Sequence, residues 1–181
     1  MNEILHSDGN PLTFINFTPK YSNQPFQNSF IIPEMPSNKP HSPVHFHFLE
    51  GSNLLTQRTH LKSFITSLFK REKKRLAEIH YIFCSDDYLL EINRQHLQHD
   101  YYTDIITFDL SEPGQPINAE IYISVDRVRD NAGQFKTSLK NELHRVIFHG
   151  ALHLCGYKDK KPKDQEDMRK MEDKYLAIYF K

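Results

Sequence analysis

His149 and His153 stand four residues apart near the C-terminal end of this 181-residue chain, and Asp159 follows six residues later, past the pair Gly156-Tyr157. Residues at i and i+4 of a helix lie one above the other on a single face, so two imidazole nitrogens at that spacing can converge on one cation. A carboxylate brought back by the following turn supplies a third donor. Two histidines and one carboxylate leave a tetrahedral ion one position for water, as catalytic zinc requires. A metal held this way lowers the pKa of its water and polarises a phosphoryl oxygen. The metalloprotease version of the motif carries a glutamate directly after the first histidine as general base. Here that residue is Gly150, which argues against a peptidase. A base must come from elsewhere, with Glu120 and Asp104 as the candidates, or the metal hydroxide must suffice.

A helix has to position these ligands. Leu139, Leu143, Val146, Ile147, Ala151 and Leu154 recur at the helical interval, with Ser138 as N-cap and Glu142 in the first turn. His149 and His153 project beside that apolar stripe, where a side chain faces a cleft while the core holds it. Gly156 can take positive φ, so it ends the helix and turns the chain towards Asp159. Cys155, two residues from His153, points off another side and is read as a packing residue. His144 faces away from both ligands and is read as a surface or packing residue.

The run His149 to Tyr157, HGALHLCGY, resembles the C-terminal signature of the YbeY family of metal-dependent endoribonucleases. That signature reads histidine, glycine, two residues, histidine, leucine, one residue, glycine and tyrosine, followed by a third metal-binding position. The family's usual third ligand, a histidine ten residues after the first, falls on Asp159 here. A carboxylate is harder than imidazole and shifts preference somewhat towards iron, manganese or cobalt, although Zn2+ remains the expected divalent ion. Upstream, Ile92-Asn93 and Thr103-Asp104-Ile105-Ile106-Thr107-Phe108 look like the family's middle region, and Ala119 to Ser124 like its Gly-Asp/Glu-hydrophobic strand, with Ala119 where glycine is usual. Leu97 stands where relatives often carry an arginine. The resemblance covers residues 44 to 181.

What the resemblance implies is a single-strand-specific endoribonuclease of ribosomal RNA maturation. It would act in late small-subunit processing, at the 3′ end of the small-subunit RNA, and in ribosome quality control. Its partners would be ribosomal RNA and the small ribosomal subunit or assembly factors, with no DNA and no membrane. A rival from another class is a non-catalytic ribosome-assembly binding module with a structural metal. An open coordination position favours the enzyme, and a closed four-ligand site favours the module.

Composition agrees with a small enzyme. The chain is 38% hydrophobic, with room for one sizeable core and no apolar run of transmembrane length. The start, MNEILHSDGN, lacks the features of a secretory signal, so a cytoplasmic location is expected. Cys84 and Cys155 are too few and too far apart in pattern for a disulfide framework. Formal net charge is zero, but Arg58, Lys62, Lys70, Arg71, Lys73, Lys74 and Arg75 cluster along one helix and its exit. Leu61, Phe64, Ile65, Leu68 and Phe69 supply the buried stripe of that helix. The cluster is either a solvated face or an electrostatic shelf for RNA phosphates.

Seven of the ten prolines fall in residues 1 to 43, amid asparagines and serines and without sustained periodicity, so this segment reads as a poorly ordered extension, with Met35 as an alternative start. Beyond it the order is strand, helix, strand, helix, strand, strand and three helices. The strands are expected near Val44 to Phe48, 78–84, 104–109 and Ile121 to Val125, with a loop from Ser111 to Asn118. His45 and His47 alternate with Val44, Phe46 and Phe48, which makes them opposite-face strand residues before it makes them ligands. The last helices are expected at Asp126 to Phe135, Leu139 to Leu154 and Asp164 to Phe180. The fold class is therefore α+β, a four-stranded mixed sheet packed with helices and a metal site at the C-terminal helices.

Overall fold

The structure, a computed structural model, describes residues 13–16, 42–51 and 54–181. The expected order of strands and helices is present from β2 (Val44–Phe48) onward. It continues with α1 (Arg58–Arg71), β3 (Leu76–Cys84), α2 (Asp86–Leu97), β4 (Ile105–Asp109) and β5 (Ile117–Ser124), and closes with α3 (Val125–Gln134), α4 (Leu139–Cys155) and α5 (Pro162–Tyr179). These four strands form a mixed sheet, and a short β1 (Thr13–Asn16) extends it to the order β1-β4-β5-β3-β2. β2, β3 and β5 run parallel, β4 is antiparallel to β5, and β1 pairs in parallel with β4. The remaining residues of the extension at 1–43, apart from 42 and 43, lie outside the described residues.

Period-two alternation sorts the side chains onto two faces. Val44, Ile79, Tyr81, Phe83, Ala119, Ile121, Ile123 and Ile105 point to one face and form the main core with α1, α4 and α5. On the other face Cys84, Ile106 and Phe108 meet Leu89, Ile92 and Leu97 of α2. That second cover reaches only the β4–β5 side. The β2–β3 part of the same face, carrying His45, His47, Glu78 and His80, stays half-buried.

Two expectations are corrected. β5 begins at Ile117, not Ile121, because Ile117 and Ala119 are already buried in the core and paired to β3, so the preceding loop is shorter than the Glu-Pro-Gly signal suggests. α4 is not a one-stripe helix. From Leu143 to Leu154 it is buried at every position but one, because it lies between the sheet, α3 and α5. Of the two readings open for His144, surface or packing, it is the packing one: the ring is buried and stacked on Tyr179.

Gly150 shows why α4 can lie so close to the sheet. A Cβ there would come within 2.8 Å of Ile121 Cδ1 and 2.9 Å of Ile105 Cδ1. The position that a metalloprotease gives to its glutamate is used here for helix-on-sheet contact.

Candidate metal centre

α4 is capped as its sequence implies: the Ser138 hydroxyl accepts from Asn141 N–H, and Gly156 closes the other end at φ 104°. The left-handed turn sends the chain back over the last turn of the helix and brings Asp159 beneath the histidines. Asp159 Oδ2 lies 3.4 Å from His153 Nε2 and 3.7 Å from His149 Nε2. Bonds of 2.0–2.1 Å in a tetrahedral zinc site put neighbouring donor atoms about 3.3–3.4 Å apart, so both carboxylate–imidazole separations are close to what a metal imposes. All three residues are buried, and among the described residues they form a group able to hold a metal ion.

The tautomers suit ligation as well. His149 Nδ1 lies 2.7 Å from Glu172 Oε1 and donates its proton there, which leaves the Nε2 lone pair facing Asp159; no hydrogen bond occupies that Nε2. His153 Nδ1 donates to the Tyr157 carbonyl at 2.9 Å, a bond created by the same Gly156 turn. Carboxylate–histidine pairs of this kind orient metal ligands and raise their basicity.

Glu172 is the functional residue that sequence reasoning missed. It sits on α5 among the buried Met168, Tyr175, Leu176 and Tyr179. An acid at a core position of a helical stripe was the signal available, and burial of its charge requires partners. Arg145 supplies one, with Nη1 3.0 Å from Glu172 Oε2 and 2.8 Å from Asp173 Oδ1. Burial alone would push the Glu172 carboxyl up, yet the hydrogen bond and charge of His149, together with Arg145, hold it down at about 2. Burial likewise opposes a charged His149, but Glu172, with Asp159 and Asp104 beyond, carries its pKa above 6.5. For His153 burial prevails, reinforced by His149, and the pKa falls. Asp159 is lowered in spite of burial by the closeness of His153 and then of His149. The balance is a negatively biased cage around two imidazole lone pairs.

The two carboxylates considered as bases part company. Glu120 alternates with Ala119 and Ile121, so it faces away from α4, where it accepts the Tyr122 hydroxyl at 2.7 Å. It is on the wrong side of the sheet to serve this centre. Asp104, buried just before β4, takes a 3.2 Å hydrogen bond from Asn131 Nδ2 and acts electrostatically on His149. Cys155 packs against the core, where burial pushes its thiol up to about 12, and it lies outside the donor group.

A family model described as Endoribonuclease YbeY matches residues 50–179. The chain belongs to the YbeY endoribonuclease family. Among its YbeY relatives, the Endoribonuclease YbeY of Cytophaga hutchinsonii is 51% identical over 134 residues, which are 74% of this chain and 94% of that protein. The Endoribonuclease YbeY of Phocaeicola vulgatus is 60% identical over 105 residues, 58% of this chain and 75% of its own. A solution structure of a Thermotoga maritima protein, 28% identical, shares the fold with a TM-score of 0.52 over 76% of this chain and 89% of that one. In this YbeY chain Leu97, at the position where relatives often carry an arginine, ends α2 and packs against the cluster of Cys84, Leu89, Ile106 and Phe108. No helix among the described residues is long and apolar enough to cross a membrane.

Proposed function

We propose that this chain is a metal-dependent endoribonuclease that cuts single-stranded RNA in the cytoplasm. Its substrate in this reading is precursor ribosomal RNA, cut in late processing at the 3′ end of the small-subunit RNA. Ribosome quality control is a further role, and the small subunit or its assembly factors are the partners. The observation that carries the enzymatic reading is the donor set: three buried ligand atoms at metal spacing, with both histidine Nδ1 atoms already engaged. The family membership of the chain supports RNA as the substrate class.

His149, His153 and Asp159 would hold the ion, and the donor set of two imidazoles and one carboxylate fits Zn2+. Zinc there would supply an activated water near neutral pH and charge stabilisation at a phosphoryl oxygen. The protein's own residues do the rest. Glu172 and the Tyr157 carbonyl fix the two imidazole rings, and Arg145 balances Glu172 so that its charge stays directed at His149. Three protein donors leave one tetrahedral position for solvent, which favours an enzyme over a module with a closed structural metal. Asp104 is the carboxylate left to accept a proton. Phosphates would be gathered by the exposed Lys70, Arg71, Lys73, Lys74 and Arg75.

The test is cleavage of a labelled single-stranded RNA carrying the 3′ region of the small-subunit precursor. Zinc-loaded protein should cut it, chelated protein should not, and zinc should restore cutting. Asp159→Ala should lose both metal and cleavage, whereas Asp104→Asn should keep the metal and lose rate. Undiminished cutting by protein shown to be metal-free would overturn the mechanism, and RNA binding without cleavage by the loaded protein would establish the binding-module reading.

A further inference from the structure

A second set of ligand-bearing side chains lies on the sheet face opposite α4. Parallel pairing of β2 with β3 sets His45 directly beside His80, and alternation places His47 and Glu78 on the same face. His45 Nε2 is 3.0 Å and His80 Nε2 3.2 Å from the same Glu78 oxygen, Oε1. The rings of His45 and His80 stack at 4.7 Å between centroids, and all three candidate donors are half-buried. Those separations are close to the roughly 3.3–3.4 Å between donors of a tetrahedral zinc ion. The two rings are nearly parallel, at 16°, where His149 and His153 stand edge to face at 87°, so one imidazole turns about its Cβ–Cγ bond to bring both lone pairs onto the ion.

We propose that His45 Nε2, His80 Nε2 and a Glu78 carboxylate oxygen form a second binding site for a first-row transition-metal dication, distinct from the centre on α4. His47 completes it from behind. Its Nε2 lies 2.8 Å from His80 Nδ1, so a proton on Nδ1 donated to His47 leaves the His80 Nε2 lone pair for the ion. Two imidazoles and a carboxylate suit zinc, nickel or copper better than magnesium or calcium, which prefer all-oxygen shells. The Glu78 side chain is 47% exposed, so solvent reaches this side of the cluster. β2 is an edge strand, held on one side only by β3, and the ligands come from both strands. The ion therefore staples the edge of the sheet, independently of whether the α4 centre is catalytic.

The competing arrangement for the same heavy atoms is metal-free: both Nε2 atoms carry protons and donate to Glu78. Zinc titration of the full, tag-free chain, with bound metal counted by mass spectrometry after dialysis, separates the two. Wild type should retain two zinc ions per chain and His149→Ala/His153→Ala one. Adding His45→Gln and His80→Gln to that variant should leave none. Glutamine keeps side-chain volume and polarity on this half-buried strand face, and circular dichroism checks that each variant is folded. In the His149→Ala/His153→Ala background, zinc should also slow amide exchange in residues 44–48, and Glu78→Gln should abolish that protection. A single zinc per wild-type chain that disappears with His149→Ala/His153→Ala would overturn the proposal, as would a second zinc indifferent to His45→Gln/His80→Gln. If zinc is lost with His80→Gln but not with His149→Ala/His153→Ala, the second site stands and the α4 centre falls.

Discussion

At the scale of the residue, the proposed centre depends on groups outside its donor set. Glu172 holds His149 by a 2.7 Å hydrogen bond from within the α5 core. Glu172→Gln keeps the volume and an acceptor oxygen but removes the charge that makes His149 basic, and loss of such a partner costs metal affinity about 10- to 100-fold. A zinc competition titration with a chromophoric chelator should show that drop in a folded protein, and unchanged affinity would reduce Glu172 to packing. His144, five residues before His149 on α4, behaves differently. Its Nδ1 donates to the Lys140 carbonyl at 2.6 Å, and burial lowers its pKa below 6.5. A histidine with a lowered folded pKa contributes fully above pH 6.5. As pH falls through 6.5 the unfolded chain takes up a proton that the folded chain binds only at lower pH, so stability is lost. The stability advantage of wild type over His144→Gln should therefore shrink as pH is lowered from 7.5 to about 5. Denaturant titrations of metal-free protein at each pH measure it, and titration of His149 and His153, common to both proteins, cancels in the difference.

At the scale of the element, α4 reconciles two demands: it lies deep in the core and presents two ligands on one face. Gly150 meets the first demand by letting the helix backbone approach Ile105 and Ile121. Gly150→Ala adds a methyl group where neighbours already stand at 2.8 and 2.9 Å, and overpacking of this kind costs typically 1–3 kcal/mol, about enough to outweigh the gain in helix propensity. The expected result is a lower midpoint in denaturant with zinc affinity reduced as His149 and Asp159 are pushed apart. A variant as stable as wild type would show that the two isoleucines repack. Gly156 meets the second demand, since its positive φ creates both the return to Asp159 and the Tyr157 carbonyl that orients His153.

At the scale of the whole molecule, the basic cluster divides. Arg58 lies over the Phe48 ring at 4.3 Å and Lys62 over Phe46 at 5.7 Å, so these two serve the packing of α1 on β2. Lys70, Arg71, Lys73, Lys74 and Arg75 remain exposed at the end of α1 and the following turn. Neutralising Lys70, Arg71, Lys73 and Lys74 to glutamine should weaken RNA binding about equally across sequences and flatten its salt dependence, because fewer counterions are released on binding. Zinc content should not change. Fluorescence anisotropy at several salt concentrations reads both effects, and an unaltered slope would make this end of α1 an ordinary solvated surface.

The sequence by itself determined what is local. Helical spacing placed His149 and His153 together, Ser138 and Gly156 bounded their helix, and alternation in 44–48 with short apolar runs beyond it located the four strands from β2 to β5. The nine-residue signature was enough to name the family. What only the tertiary structure decided is non-local. Glu172 reaches His149 across 23 residues, and His45 and Glu78 meet because of a strand register that no periodicity encodes. Glu120 falls on the far side of the sheet for the same reason, since alternation says that faces differ but not which face a helix covers. The pairing of Thr13–Asn16 with β4 joins a four-residue segment to a strand some ninety positions away. Local preferences in a stretch that short are too weak to announce a strand, and its hydrogen bonds exist only because the edge of β4 is there to accept it.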